Sequence, residues 1–197
     1  MSSDFKSRLN RLSDTPEILT RIGRGIEKES LRVNNSGHLS QSGHPSGLGS
    51  ALTHPSITTD YSEALLEFIT PVSHDIDETL QQLDNIHRYV YGEIAEDLLW
   101  GASMPCILEG DDSIPVAQYG NSNIARMKTI YRYGLGNRYG RLMQTIAGIH
   151  YNFSMPTEFW QLAKNIDNNT DSLQDYITQS YFGLIRNFRR YSWLLIY

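Results

Sequence analysis

The segment GRGIEKESLRV constrains the fold more than any other part of this chain. Apolar and polar residues alternate along it, which predicts a β-strand over residues 22–33. Side chains two positions apart lie on the same face of a strand, so Glu27 and Glu29 share a face with Leu31 and Val33. The strand therefore carries two carboxylates on the side that its apolar residues mark as inward.

Two carboxylates held about 5 to 7 Å apart repel each other, and partial burial adds a desolvation cost. A hard divalent cation relieves both effects. Mg²⁺ is held by a few carboxylates, and its remaining positions go to water and phosphate oxygens. The same pair is also compatible with a charged edge strand that repels other strands. This strand alone leaves both interpretations open.

A second strand is predicted over residues 57–71, ITTDYSEALLEFITP, and it adds three more acids. Glu67 stands in the apolar run ALLEFIT, where an isolated carboxylate is costly. Glu63 shares a face with Glu67 and Leu65. Asp60 has the opposite parity, so it joins the same site only from the loop end of the strand; taken alone, it is more typical of a strand cap.

The segment TIAGIHYNFSMP, residues 145–156, predicts a third strand with two unlike faces. The face predicted to be buried carries Ala147, Ile149, Tyr151 and Phe153, and the opposite face carries His150, Asn152 and Ser154. His150 is compatible with a metal ligand, a donor to phosphate or a structural histidine. Imidazole is a poor ligand for magnesium, so a direct His150–metal bond is the least favoured of the candidate bonds.

Helical periodicity and capping residues predict the other elements. Short helices are expected around Phe5–Leu12 and after Pro16. A long helix begins at the N-cap Asp75, and its buried stripe is predicted to be Ile76, Leu80, Leu83, Ile86, Val90, Ile94 and Leu98. A short helix near residue 130 is expected to break at Gly134, and Ser172 with Asp175 forms a capping box that opens the last helix. Neither an internal repeat nor a linker divides the chain.

Basic residues cluster in sixteen positions of an otherwise acidic chain. They are interleaved with tyrosines and comprise Arg126, Lys128, Arg132, Arg138 and Arg141. Arginine forks suit carboxylates and phosphates, although a solvated helix face has the same composition. The short glycine runs do not form a dinucleotide fingerprint or a P-loop. If a nucleotide binds, metal and arginine are expected to hold it.

Composition restricts the class of protein and the cellular compartment that are expected. The formal net charge of −5 provides no overall basic excess for nucleic acid or an acidic membrane. Cys106 is the only cysteine, so an internal disulfide is excluded and a reducing compartment is expected. Without an apolar run of signal-peptide or spanning length, we expect a cytoplasmic protein that does not bind membranes.

Four segments together resemble the glutamate–cysteine ligases of the proteobacterial type. These are RGIEKESLRV, GHPSGLGSALTHPSITTDYSEALLEFITP, AQYGNSNIARMKTIYRYGLGNRYG and LMQTIAGIHYNFSMP. The resemblance implies an α+β fold, an antiparallel sheet with flanking helices that curves into a glutamine-synthetase-like funnel. Family members are considerably longer, so residues 1–197 are expected to be the N-terminal portion of one catalytic domain. The apolar ending YSWLLIY agrees with an incomplete funnel.

The resemblance also implies roles for particular residues. The sites for Mg²⁺, with Mn²⁺ as the alternative, and for the phosphates of ATP are expected to contain Glu27, Glu29, Asp60, Glu67 and His150. The amino-acid pocket is expected to contain Tyr131, Arg132 and Tyr61, with Arg132 as the catalytic residue. Three positions depart from the family pattern: Tyr61 stands where phenylalanine is common, and Tyr133 and Gly136 replace charged residues.

Such a ligase phosphorylates the γ-carboxylate of L-glutamate with ATP, and the amine of L-cysteine then attacks the acyl phosphate in the first step of glutathione biosynthesis. A monomer acting on these small molecules is expected. Two alternatives stay open: a related carboxylate–amine ligase with another acceptor, and a truncated metal-binding protein without activity.

Overall fold

The computed structural model describes residues 3–196, with side chains from Phe5 onward. The chain divides into two compact units. One contains the described residues up to Gly23 and from Phe153 onward, and the other is Arg24–Asn152. The prediction that both belong to one catalytic domain stays a prediction.

The larger unit is built on an antiparallel sheet with strand order β2-β3-β1-β4, and β5 also pairs with β1. The strands are β1 (Gly23–Val33), β2 (Ile57–Thr59), β3 (Leu65–Ile69), β4 (Leu98–Leu99) and β5 (Ile149–Ser154). The helices are α1 (Ser3–Ser13), α2 (Ile76–Glu93), α3 (Asn123–Tyr139), α4 (Thr157–Ile166) and α5 (Leu173–Tyr191). An antiparallel sheet with flanking helices was predicted and is confirmed; its closure into a funnel stays a prediction.

Both faces of the central strands are covered. On one face, Leu31 and Leu65 belong to a buried core with Tyr61. On the other face, Leu66 and Phe68 pack with Val90 of α2 and with Ile94 just after it. β1 is also paired along both edges, with β3 on one side and β4 on the other. It is therefore an interior strand, which rules out the charged edge strand considered from its sequence.

The single strand predicted over residues 57–71 is wrong. The chain reverses between β2 and β3, where Asp60 N–H donates to the Leu65 carbonyl at 3.0 Å. Ser62 Oγ accepts from the Ala64 N–H at 3.2 Å, which is the local bonding that favours a turn. β-branched and apolar residues on both sides masked this short polar reversal. We name residues 60–64 the Asp60 turn.

α2 begins at the predicted cap, where the Asp75 side chain accepts from the Glu78 N–H at 2.7 Å. Val90 and Ile94 of the predicted stripe are buried, whereas Ile76 and Leu80 are exposed. The helix ends at Glu93, and Leu98 lies in β4 instead. Ala95 adopts a positive φ, which prevents the helix from continuing.

α3 does not break at Gly134 as predicted. It runs through two glycines and ends at Tyr139, and the next residue, Gly140, has a positive φ of 80° that glycine tolerates. A helix-interior glycine costs only about 1 kcal/mol relative to alanine, so packing overrides it. Continuity of α3 places Arg132 and Gly136 on one helical face, since they lie four positions apart.

The smaller unit contains α1, α4 and α5. α4 was missed by the sequence pattern, whereas the predicted cap of α5 is confirmed: Ser172 Oγ accepts from the Asp175 N–H at 3.1 Å. Within this unit, Arg8 pairs with Asp167 at 2.7 Å.

The apolar face predicted for β5 is not buried. All six residues of β5 are exposed, including Ile149 at 66%. Alternation identifies the side chains that share a face, but it does not reveal whether another element packs on that face. No helix of residues 3–196 combines the length and the apolar character needed to span a bilayer.

Candidate functional site

The centre of the site is a pair of carboxylates on adjacent strands. Glu29 of β1 lies directly opposite Glu67 of β3 in the antiparallel register. Opposed residues on one face have Cβ atoms about 4.5–5.5 Å apart, so like charges there destabilise the sheet. Burial raises the pKa of both carboxyls, and the nearby charges of Glu27 and Asp60 raise both pKa values further. The strand register therefore opposes two carboxylates on one partly buried face.

β5 and Gly148, the residue before it, supply polar partners to the acids of β1. Glu29 N–H donates to the Gly148 carbonyl at 2.9 Å, and Gly148 N–H donates to Glu29 Oε2 at 2.6 Å. Glu27 accepts from Asn152 Nδ2 at 2.7 Å and lies 3.1 Å from His150 Nδ1. These contacts fix the orientation of the two carboxylates and leave some of their lone pairs available.

His150 is electrostatically coupled to the same acids. Its hydrogen bond to Glu27 raises the pKa of the imidazole, and the charges of Glu29 and Glu67 raise this pKa as well. The protonated imidazole is therefore favoured beside the carboxylates, where it acts as a partner for negative charge.

Asp60 reaches the site from the Asp60 turn. The charge of Asp60 raises the pKa of Glu29 and Glu67. The five predicted metal-site residues are thus coupled electrostatically. Their role as metal ligands stays a prediction. We call Glu27, Glu29, Asp60, Glu67 and His150 the acid cluster.

The donor chemistry of the acid cluster suits a hard divalent cation. Four members offer carboxylate oxygens, the preferred protein ligands of Mg²⁺. Within residues 3–196, however, no three His, Cys, Asp or Glu side chains are arranged as a ready metal-binding group. The cluster fits the cation in chemical type and in its excess of negative charge.

Arg132 lies at the Asp60 turn but is largely engaged with the backbone. Its Nε donates to the Asp60 carbonyl and Nη1 donates to the Lys128 carbonyl at 3.0 Å. Nη2 makes a longer contact of 3.5 Å with the Thr59 carbonyl, and the guanidinium stacks 4.8 Å from the Tyr119 ring centroid. Three of its five N–H groups are used in this way, which leaves two for a ligand.

The two tyrosines predicted for the amino-acid pocket have different environments. Tyr131 is exposed on α3. Tyr61 is only 1% exposed and belongs to the core beneath the sheet. Burial raises the pKa of its hydroxyl. Their roles in substrate binding stay predictions.

Sequence reasoning missed the network behind the site. Arg32 lies on the face of β1 opposite Glu29, where it is 1% exposed and pairs with Asp97 at 2.9 Å. Glu63, predicted to share a face with Glu67, lies outside the acid cluster and accepts from the backbone N–H groups of His44 and Gln118 at 3.2 and 2.9 Å. The sequence did contain a signal for the buried ion pair of Arg32, because this arginine stands between Leu31 and Val33 in the strand.

Comparisons with known proteins agree with this fold. The family model described as glutamate-cysteine ligase matches residues 9–197. The chain therefore belongs to the glutamate–cysteine ligase family.

Particular relatives make the relationship more specific. The chain is 60% identical over 185 residues to the glutamate–cysteine ligase of Alcanivorax borkumensis, covering 94% of this chain and 35% of that protein. It is 53% identical to the enzyme of Hahella chejuensis, covering 100% and 38%. The chain thus spans little more than a third of the length of these relatives.

Two solved structures share the fold. The glutamate–cysteine ligase of Francisella tularensis in complex with AMP has a TM-score of 0.81 at 40% identity, covering 89% of this chain and 34% of that one. A bifunctional glutathione synthetase from Pasteurella multocida has a TM-score of 0.86 at 31% identity, covering 96% and 25%.

Proposed function

We propose that this chain forms the metal- and phosphate-binding part of an ATP-dependent ligase that joins the γ-carboxylate of L-glutamate to the amine of L-cysteine. The observation that carries the proposal is the opposition of Glu29 and Glu67 beside Glu27, where burial raises the pKa of Glu29 and of Glu67. Family membership and the names of the relatives favour cysteine over another acceptor.

In this proposal the acid cluster holds Mg²⁺, or Mn²⁺ in its place. When bound, such an ion neutralises charge on phosphate oxygens and orients them for transfer. Glu27, Glu29, Asp60 and Glu67 provide the carboxylates. Asn152 keeps the Glu27 carboxylate oriented by its 2.7 Å hydrogen bond.

His150 and Arg132 supply positive charge. The hydrogen bond to Glu27 raises the pKa of His150, which favours the protonated imidazole as a donor to an anionic phosphate oxygen. Arg132 retains two N–H groups for a carboxylate or phosphate of the reacting substrate, and the exposed ring of Tyr131 neighbours it on α3. Phosphoryl transfer needs such charge and in-line positioning more than a protein nucleophile.

The proposed reaction has two chemical steps. The γ-phosphoryl group of ATP passes to the side-chain carboxylate of L-glutamate, releasing ADP. The amine of L-cysteine then attacks the acyl phosphate and phosphate leaves, which completes the first step of glutathione biosynthesis. We further propose that the protein acts as a monomer in the cytoplasm, on small molecules and without nucleic acid.

Metal titration tests the acid cluster directly. Glu27→Gln removes one charge and little volume, so we expect Mg²⁺ affinity to fall about tenfold or more while the fold is retained. Isothermal titration with Mg²⁺ alone measures this, and circular dichroism checks folding. Glu96→Gln, an exposed acid outside the cluster, is the matched control. Equal affinities for both variants would contradict the proposed metal site.

A chimera tests the reaction. This chain replaces the matching segment of the Alcanivorax borkumensis enzyme, which supplies the remainder of the fold. ADP release is measured with ATP, Mg²⁺ and L-glutamate, with and without L-cysteine. We expect cysteine-dependent release that Glu27→Gln lowers by at least about a hundredfold, since positioned charge supplies most of the rate enhancement. A folded chimera without cysteine-dependent turnover contradicts the function.

A further inference from the structure

The Tyr61 hydroxyl is an unusual polar group in this core. Tyr61 is 1% exposed, and its hydroxyl oxygen is buried without a hydrogen-bond partner in the described part of the chain. Burying an unpaired hydroxyl costs free energy. The hydroxyl also needs space, which a larger neighbouring side chain would fill.

Gly136 provides that space. A Cβ atom added at Gly136 would overlap the Tyr61 hydroxyl oxygen and would lie 3.5 Å from the ring carbon that bears it. The same atom would lie 3.2 Å from Cγ of Arg141. Because the tyrosine ring is rigid and enclosed, it has little freedom to move aside. The hydroxyl at position 61 and a side chain at position 136 therefore compete for one volume.

This contact belongs to a continuous face of α3. Thr129 Oγ1 donates to the Ala117 carbonyl at 3.2 Å, and Arg132 Nε donates to the Asp60 carbonyl. Gly136 continues the same face one turn later. Tyr61 is also fixed through its backbone, since its carbonyl accepts from the Ala117 N–H at 3.0 Å. Two successive turns of α3 thus rest on the Asp60 turn.

We propose that Tyr61 and Gly136 form a size-complementary pair that sets the distance of α3 from the Asp60 turn and so positions Arg132 and Asp60 for their ligands. Tyr61 and Gly136 act as positioning residues in this arrangement. The consequence for ligands rests on the proposed function, whereas the pair itself rests on the packing alone.

A double-mutant cycle tests the pair. Gly136→Ala should lower the melting temperature by about 3 to 8 °C through overpacking, although alanine favours a helix. Tyr61→Phe should raise it by about 2 to 4 °C because it removes the unpaired hydroxyl. Combining the two should return the melting temperature to that of the wild type or above.

Gly134→Ala is the matched control, because Gly134 lies on the same helix with nothing within 4 Å of an added Cβ. It should raise the melting temperature by about 2 to 4 °C through helix propensity alone. If Gly136→Ala also raises it, or if Tyr61→Phe does not rescue Gly136→Ala, the pair is overturned.

Two further measurements separate positioning from stability. The Nε–H of Arg132 should exchange with solvent about tenfold faster in Gly136→Ala, as seen by NMR, and Tyr61→Phe should restore its protection. Mg²⁺ affinity measured by calorimetry should likewise fall in Gly136→Ala and recover when Tyr61→Phe is added. Unchanged Arg132 exchange in Gly136→Ala overturns the positioning role. A wild-type chain that binds no Mg²⁺ contradicts the proposed function alone, because unfolding and exchange require no metal.

Discussion

Charged side chains on the two faces of β1 have opposite kinds of partner. On one face Arg32 is buried, pairs with Asp97 at 2.9 Å and donates to the carbonyls of Ser42 and Gly43 at 2.7 and 3.1 Å. On the other face Glu29 meets Glu67 across the register, and burial raises the pKa of both. β1 therefore carries a cation that faces its counter-charge and a carboxylate that faces a like charge.

This difference distinguishes a charge that stabilises the fold from charges that are suited to bind a ligand. A buried charge that finds its counter-charge and hydrogen bonds within the chain holds neighbouring segments together. Like charges forced into one hollow cost stability and require an external cation or proton. Removal of the Arg32 charge from the first face should therefore lower the free energy of unfolding. Removal of a carboxylate charge from the second face should raise it.

The largest effect is expected on the compensated face. Arg32→Met leaves Asp97 and several carbonyls without their donor, so the free energy of unfolding should fall by about 3 to 5 kcal/mol. Urea denaturation measures this change. Arg88→Met, which removes an exposed pair with Asp84, should cost no more than about 0.5 kcal/mol. A loss below about 1 kcal/mol for Arg32→Met would contradict a structural role for that charge.

A smaller effect of opposite sign is expected on the acidic face. Without metal, Glu67→Gln should raise the free energy of unfolding by about 0.5 to 1 kcal/mol, because it removes a like charge opposite Glu29. Excess Mg²⁺ should stabilise the wild type and reverse this order. Thermal unfolding in EDTA and in Mg²⁺ gives both values. Destabilisation in EDTA would show that Glu67 is already compensated.

The smallest effect concerns the exposed polar partner of Glu27. Asn152→Ala removes one hydrogen bond of 2.7 Å, so the free energy of unfolding should fall by about 0.5 kcal/mol. Urea denaturation in EDTA measures it, with Gln144→Ala, which lies outside the cluster, as the control. A loss above about 2 kcal/mol would place Asn152 in the structural framework instead.

Local patterns predicted several elements correctly. The alternation in β1 and the caps of α2 and α5 were recognisable because each depends on residues within a few positions of one another. The same locality explains the failures. The reversal at the Asp60 turn was hidden between two strand-like runs, and Gly134 was given more weight as a helix breaker than packing allows.

The candidate site was predictable in its residue types but not in its contacts. Glu27 and Glu29 were recognisable because they share a strand face, and Glu67 was recognisable because apolar residues flank it in the sequence. The partnership of Glu27 with Asn152 spans 125 positions, and that of Glu29 with Gly148 spans 119. Glu63 resembled Glu67 in sequence, yet its carboxylate is bound to the backbone of two loops.

The amino-acid order alone determined that one strand would carry acids on a single face, since the twofold alternation of a strand is a property of its own backbone. The tertiary structure decided which charges find partners: Arg32 meets Asp97 from 65 positions away, whereas Glu29 meets another acid. The energy of a buried charge depends on the groups around it, and distant segments supply those groups only after the chain has folded.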